Sequence, residues 1–349
     1  MNGQHTYSEI TTQPDAWQEA LAAFAHLEGE LRRQWTAVSP QQLIFIGCGS
    51  THYLSQTAAT LFQALTDIPS RAYPASELIL FPEQTLRDAA DSLLVAISRS
   101  GTTTETLTAV NQFQQRGGTA VWTITCYPDS PLAQLSNLVL PAEAAQEESV
   151  AQTRSFASML LLAQAMAATL GGYDTAPLHA LPDIGRNLIA QAEPLMAELG
   201  QDTSLERLYF LGSGGQFGIA NEAMLKMTEM SLTPSQAFHF MEFRHGPMSM
   251  ATGKSLIAGL LSPTAFTWEH QVLLEMAEMG AHTLALNPTT AVTDTEFHVN
   301  LPSDLPDWAY PILYLPPLQL LAYYRSLAKG LDPDNPRNLT AVVYLDTAV

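Results

Sequence analysis

The chain states one structural phrase twice, and that repetition limits its fold more than any other feature. Leu43-Ile-Phe-Ile-Gly47 runs into the small-residue turn Cys48-Gly49-Ser50-Thr51, and Leu208-Tyr-Phe-Leu-Gly212 runs into Ser213-Gly214-Gly215. Phe210 stands 165 positions after Phe45. Nearly the same spacing relates Ser92-Leu-Leu-Val-Ala-Ile97 to Ser255-Leu-Ile-Ala-Gly-Leu260, and Ala120-Val-Trp-Thr-Ile124 to Thr283-Leu-Ala-Leu286. Each run is short and continuously apolar, as in strands of a parallel sheet covered on both faces. Between the runs lie helical patterns, such as Leu54, Ala58, Leu61, Phe62 and Leu65. The expected fold is therefore α/β: two doubly wound, flavodoxin-like parallel-sheet domains in tandem behind an N-terminal helical segment. The boundaries read as 1–37 for one or two N-terminal helices, 38–195 for the first domain and 196–349 for the second. A polar stretch near Gly171 to Pro182 reads as the hinge.

Composition supports packed domains and removes several function classes. In 349 residues, 46% are hydrophobic and only 14% charged, which suits large cores rather than disorder. With 34 acidic against 15 basic residues the formal charge is −19, unfavourable for nucleic acid or an anionic membrane surface. Ser155 to Tyr173 carries no charge, yet its Ser, Gln, Thr and Gly residues and unanchored flanks suggest a buried helix, not a span. Two distant cysteines, Cys48 and Cys126, indicate neither a disulfide framework nor a zinc site. The N-terminus lacks a basic segment followed by an apolar one, so a cytoplasmic protein is expected.

The copies differ where chemistry is expected. After its second strand the first copy has Ser98-Arg99-Ser100-Gly101-Thr102-Thr103-Thr104-Glu105-Thr106, hydroxyls around a glycine at a strand-to-helix junction. Unpaired N–H groups and the helix dipole favour an anion there, and hydroxyls add donors, so the run reads as a phosphate cradle. A plain helix cap is the competing reading, and the strand, the glycine and the nearby Cys48 to Thr51 turn favour the cradle. The matching place in the second copy, Ser262 to His270, has no glycine, so one cradle per chain is expected. Neither turn matches a dinucleotide or nucleoside triphosphate motif.

In the second copy Lys226 and Glu229 share a helix face, with Glu222 four residues before Lys226. The set reads equally as a solvated surface pair or as a general base, Glu229, beside a cation. His245 precedes Gly246-Pro247 and so falls on a loop, where its imidazole is a candidate for passing protons to a sugar ring oxygen. No histidine spacing suggests a metal site, and no metal or organic cofactor is expected.

These residues resemble the sugar isomerase (SIS) domain family, most closely the isomerase half of glucosamine-6-phosphate synthase and its stand-alone relatives. The resemblance runs through Glu9-Ile-Thr-Thr-Gln13-Pro14, the Cys48 turn, Ser98 to Thr103, Val150-Ala-Gln-Thr-Arg154, the Glu229 helix, Arg244-His-Gly-Pro247, Pro317-Leu-Gln-Leu-Leu-Ala-Tyr323 and Asp334-Asn-Pro-Arg-Asn-Leu339. It implies that Cys48, Gly49, Ser50, Thr51, Ser98, Arg99, Ser100 and Thr103 line a sugar-phosphate pocket, with Val150 and Gln152 along the sugar. It further implies Glu229 as the base working between C1 and C2, Lys226 as its neighbour, and His245 as the ring-opening group supplied by a second subunit. An obligatory homodimer with shared sites follows from the same resemblance.

Two departures shape the expected activity. No cysteine precedes Cys48, so no glutaminase domain is expected, and Ala341 stands where the family synthase carries an imine-forming lysine. The resemblance then implies an amino-sugar-phosphate isomerase/deaminase, foremost a glucosamine-6-phosphate deaminase releasing ammonia and fructose 6-phosphate. The alternatives are a fructosamine-6-phosphate deglycase, a glutaminase-less aminotransferase-like isomerase, and a non-catalytic phosphosugar sensor. Against the sensor stand both acid–base candidates.

Overall fold

The computed structural model of the protein describes residues 2–342; Met1 and residues 343–349 of the expected second domain lie outside them. The chain divides into two compact units that cut across the sequence boundaries. One unit comprises 12–147, 152–179 and 340–342 and holds the first copy. The other comprises 2–11, 148–151 and 180–339 and holds the second.

In the first-copy unit the elements are most of α1 (Gln4–Val38), β1 (Gln42–Gly47), α2 (Ser50–Thr66), β2 (Ser70–Pro74), α3 (Ala75–Leu80), α4 (Pro82–Thr85), β3 (Ser92–Ile97), α5 (Thr104–Gln115), β4 (Ala120–Thr125), α6 (Pro131–Gln134), β5 (Leu138–Pro141) and α7 (Arg154–Leu170). The five strands are all parallel, in the order β2-β1-β3-β4-β5. β3 and β4 are buried along their whole length, as their unbroken apolar sequences require. Ile44, Ile46, Leu94, Ala96 and Val121 pack on one face against Ala109, Val110 and Phe113 of α5. Phe45, with neighbouring β1 residues pointing the other way, meets Phe62 of α2 at 5.1 Å between rings.

The second-copy unit contains α8 (Ala176–Gln201) from residue 180 on, then β6 (Arg207–Leu211), α9 (Gln216–Ser231), β7 (Ser235–Phe238), α10 (Phe240–Phe243), β8 (Ser255–Leu260), α11 (Phe266–Glu278), β9 (His282–Asn287), β10 (Phe297–Asn300) and α12 (Leu315–Ala328). Its parallel sheet has the order β10-β9-β8-β6-β7. Written from the other edge, this is the order of the first sheet, so the sequence repeat is a repeat of topology. Tyr209, Leu211 and Ile257 pack here against Phe240, Phe243, Val272, Leu273 and Met276.

Of the one or two helices expected before Val38 the structure has one, Gln4–Val38, with Pro14 in its interior. Two boundaries depart from the sequence reading. Of the expected hinge from Gly171 to Pro182 only 171–175 is non-helical, because the Asp174 carboxylate accepts the Ala176 N–H (2.9 Å) where α8 starts, and that stretch lies within the first-copy unit. Pro182 and the expected boundary at 195/196 then fall inside α8. The uncharged segment after Arg154 is α7, buried from Ser155 through Thr169. Among the described residues no helix is long and apolar enough to cross a membrane.

Candidate functional site

The turn after β1 and the junction after β3 both lie at the carboxyl ends of adjacent strands, where doubly wound sheets bind ligands. At the first, Gly49 adopts φ 57° and opens α2. The Thr51 hydroxyl accepts the Cys48 N–H (2.9 Å) and donates to the Cys48 carbonyl (3.0 Å), so Thr51 holds the turn closed on itself. The half-buried Cys48 thiol lies 3.6 Å from the Thr106 hydroxyl, and burial pushes its pKa up to about 11. It is therefore a thiol, not a nucleophilic thiolate, at neutral pH. Ser50 is buried at the first residue of α2.

The junction after β3 is built around Gly101. Its φ of 63° suits glycine, and a Cβ would stand 2.0 Å from the Ser130 hydroxyl oxygen, so no other residue fits. The Ser98 hydroxyl takes the Gly101 N–H (3.1 Å), and the Ser100 hydroxyl takes the Thr102 N–H (3.2 Å) and hydroxyl (3.0 Å). Thr103 is the N-cap of α5, yet its side chain makes no capping bond. The hydroxyls thus shape the loop instead of capping the helix, and the bland reading of this run as a capping box is not what the structure contains. Arg99, nearly buried, turns to Glu147.

The second-copy unit holds the acid–base candidates. Lys226 and Glu222 on α9 are 1% and 0% exposed with 3.1 Å between ammonium and carboxylate. Glu229, one turn on, is bonded to the same ammonium and keeps 14% of its side chain exposed. This is no solvated surface pair. Burial alone lowers the lysine's pKa, but the Glu222 and Glu229 carboxylates more than offset it and hold Lys226 protonated. Two carboxylates share one ammonium, and Glu229 is the member that opens outward.

His245 is exposed just past α10, beside Gly246 with φ 134°. Its neighbour Arg244 grips Glu275 of α11 through two bonds of 2.7 and 2.6 Å, a bidentate pair that fixes where the loop starts. Val150 belongs to this unit as well, with its N–H donated to the Asp334 carbonyl (3.0 Å). Gln152 belongs to the first-copy unit, half-buried, with an enclosed side-chain oxygen that makes no hydrogen bond among the described residues. The structure therefore gathers Cys48 to Thr51 with Ser98 to Thr103 in one unit, and Lys226, Glu229, His245 and Val150 in the other.

Three carboxylates that sequence reasoning passed over organise these segments. Glu9 accepts the N–H groups of Glu148 (2.7 Å) and Ser149 (3.3 Å) and the Ser149 hydroxyl. Asp334 accepts the N–H and hydroxyl of Thr6, both at 2.7 Å. Both lie in stretches that carry the family resemblance, which was the available signal. Glu147 had none: nothing separates it in sequence from the exposed Glu148. It is fully buried and receives the Thr153 N–H (2.7 Å), the Thr153 hydroxyl (2.8 Å), the Ser155 N–H (3.2 Å) and the Ser155 hydroxyl. Among the described residues no cluster suited to a metal ion occurs.

Comparison with known proteins agrees with this geometry. Residues 38–169 match the SIS domain model. A glutamine–fructose-6-phosphate aminotransferase (isomerizing) of Pyrobaculum aerophilum is 29% identical over 97% of this chain and 57% of its own length. That of Chlamydia pneumoniae is 27% identical over 99% and 59%. The chain spans under two thirds of either relative. The solved glucosamine-6-phosphate deaminase of Thermotoga maritima is 26% identical with a TM-score of 0.84, covering 98% of this chain and 100% of that one. Tagatose-6-phosphate ketose/aldose isomerase of Escherichia coli, at 22% identity and TM-score 0.88 over 98% of both, shares the fold. The first copy thus carries a SIS domain, and the second repeats its sheet order.

Proposed function

We propose that this chain is a phosphosugar aldose–ketose isomerase/deaminase, and that its reaction is the hydrolytic deamination of glucosamine 6-phosphate to fructose 6-phosphate and ammonia. The observation that carries the reading is Glu229: a carboxylate at the open end of a buried trio whose other members, Lys226 and Glu222, are sealed from solvent. Such a carboxylate is positioned but still reachable, as a proton-shuttling base must be.

In this reading the cradle around Ser98 to Thr103 binds the phosphate and His245 protonates the ring oxygen as the sugar opens. Glu229 then takes the proton from C2 and returns it to C1. The amino aldose becomes a ketose imine at C2, and water releases ammonia from it. One feature favours an amino-sugar substrate over ketose amination. Position 341 is alanine, with no amine to form an imine, whereas glucosamine 6-phosphate brings its own nitrogen. The solved deaminase from Thermotoga maritima, which aligns across nearly the whole chain, is compatible with that reading.

The enzyme acts in this proposal as a cytoplasmic homodimer in which His245 serves the partner's site. The deciding assay is ammonia release from glucosamine 6-phosphate beside galactosamine 6-phosphate and a fructosamine 6-phosphate. Release from one amino sugar, absent in Glu229→Gln, supports the assignment. Silence on all three with phosphosugar binding retained overturns it in favour of a sensor. For the shared site, mixed dimers of Glu229→Gln and His245→Ala chains are expected to regain activity, and verified heterodimers without recovery refute sharing.

A further inference from the structure

Arg99 sits between the two cradle serines, Ser98 and Ser100, but its guanidinium is engaged elsewhere. One arm lies 3.4 Å from the Glu147 carboxylate. The other donates to the main-chain carbonyl of Ala341 at 3.1 Å, across 242 residues of sequence. Glu147 is fully buried and takes four further bonds from Thr153 and Ser155 at the start of α7. A carboxylate so enclosed is stabilised by a cation, and among the described residues Arg99, itself 8% exposed, pairs with it. The planar fork of arginine is suited to two partners in different directions; lysine offers one point charge.

We propose that Arg99 is a positioning residue that fastens the C-terminal segment around Ala341 to the cradle loop, so that the loop and the segment order together. The proposal deepens the phosphosugar reading above in one respect, that ligand affinity rises when the segment is fastened, and otherwise rests on geometry alone. Glu147 is the buried brace of this link: it fixes one arm of the guanidinium and thereby aims the other at the Ala341 carbonyl. The cradle loop, the start of α7 and residues 340–342 meet at one side chain, all within the first-copy unit.

Hydrogen–deuterium exchange of the ligand-free full chain tests the link without any substrate. Arg99→Lys is expected to raise exchange of the amides at 340–342 at least tenfold and to leave β3 and β4 unchanged. Because Arg99→Met alone leaves Glu147 buried and unpaired, the double variant Arg99→Met with Glu147→Gln is the control for folding. It is expected to melt near the wild type while exchanging at 340–342 as fast as Arg99→Lys. Wild-type exchange at 340–342 in either variant, with the fold intact, overturns the proposal.

A second readout separates the clamp from a direct phosphate contact. Under the clamp, Arg99→Lys raises KM for the active phosphosugar about tenfold with kcat within about twofold, in parallel with the exchange. Weakened binding with unchanged exchange makes Arg99 a phosphate ligand instead and refutes the clamp. If no phosphosugar is turned over, the proposed function fails, while the exchange result still decides the link.

Discussion

The junctions that follow β3 and β8 occupy equivalent places in two copies of one fold, yet they treat an anion in opposite ways. After β3, Gly101 and the hydroxyls of Ser98 and Ser100 shape a loop whose bonds among the described residues come from hydroxyls and main chain. After β8, the Glu269 carboxylate of α11 fills the corresponding place, accepting the Ser262 N–H (2.6 Å) and hydroxyl (2.9 Å), with a further bond from Ser213. Ser213 is the counterpart, 165 residues on, of Cys48 in the turn after β1. Both junctions present N–H groups at a helix start, which favours negative charge. The second satisfies that preference with its own side chain. Under the proposed function the first serves the substrate phosphate, and the second copy contributes the Lys226 and Glu229 pair of its α9.

The division is broken hardest at Glu229. If the second copy supplies chemistry and the first supplies binding, Glu229→Gln lowers kcat by about 10²–10⁴-fold with phosphosugar affinity unchanged. Steady-state kinetics with a separate binding titration checks this; a variant that loses affinity and keeps kcat reverses the assignment. Gly101→Ala should do the opposite. Its positive φ costs a side chain about 1–2 kcal/mol, and the added Cβ collides with Ser130, so the loop must open. KM is expected to rise about 10–100-fold with a smaller change in kcat, and the melting temperature to fall by several degrees.

How much of this was legible in the sequence depended on whether the signal was local. The strands were readable because β3, β4 and β8 are buried on both faces, and continuous apolar runs serve that burial. The Gly101 loop was readable because glycine among hydroxyls at a strand end has few other uses. Glu222, Lys226 and Glu229 have the spacing of any surface trio, and only tertiary packing shows that Lys226 is sealed. Glu147 and Glu148 are adjacent and chemically identical, but one is enclosed and the other open, a difference set by α7 and Arg99. The filled second junction was half visible: the missing glycine argued against a cradle, while the incoming Glu269 came seven residues later from the next helix.

Glu269 offers a gentler test through pH. Burial pushes its carboxyl up to about 7 from an ordinary 4.5, outweighing the lowering effect of the bonds from Ser262 and Ser213. A raised carboxyl pKa means the folded state binds the proton more tightly than the unfolded chain. Glu269 therefore costs no stability well below pH 4.5, and its cost grows as pH rises to about 7 and stays constant above. Glu269→Gln removes that slope. The melting temperature of the variant relative to the wild type should climb between those pH values, with turnover unchanged, in paired thermal scans. Glu269→Ala, by contrast, leaves the Ser262 N–H without its partner and should lose about 1–3 kcal/mol at low pH. A wild-type pH slope in Glu269→Gln refutes the buried carboxylate as its source.

The smallest expected effect comes from making the two turns alike. Cys48→Ser gives the first copy the residue that stands at Ser213 in the second. Two properties of Cys48 argue that little changes. Its thiol is pushed to about 11 by burial, so at pH 8 only about 0.1% is thiolate and no nucleophile is lost. Its neighbour across the turn is the Thr106 hydroxyl, which bonds a serine as readily as a thiol. Turnover is expected within about twofold of wild type, and wild-type activity should withstand iodoacetamide at pH 8. In the second copy the same serine bonds Glu269, and here Glu105 acts on Cys48 both by its charge and by a side-chain hydrogen bond. A large loss in Cys48→Ser would mean that the two turns are not interchangeable parts, and that the difference between the copies begins at this position rather than at Gly101 and Glu269.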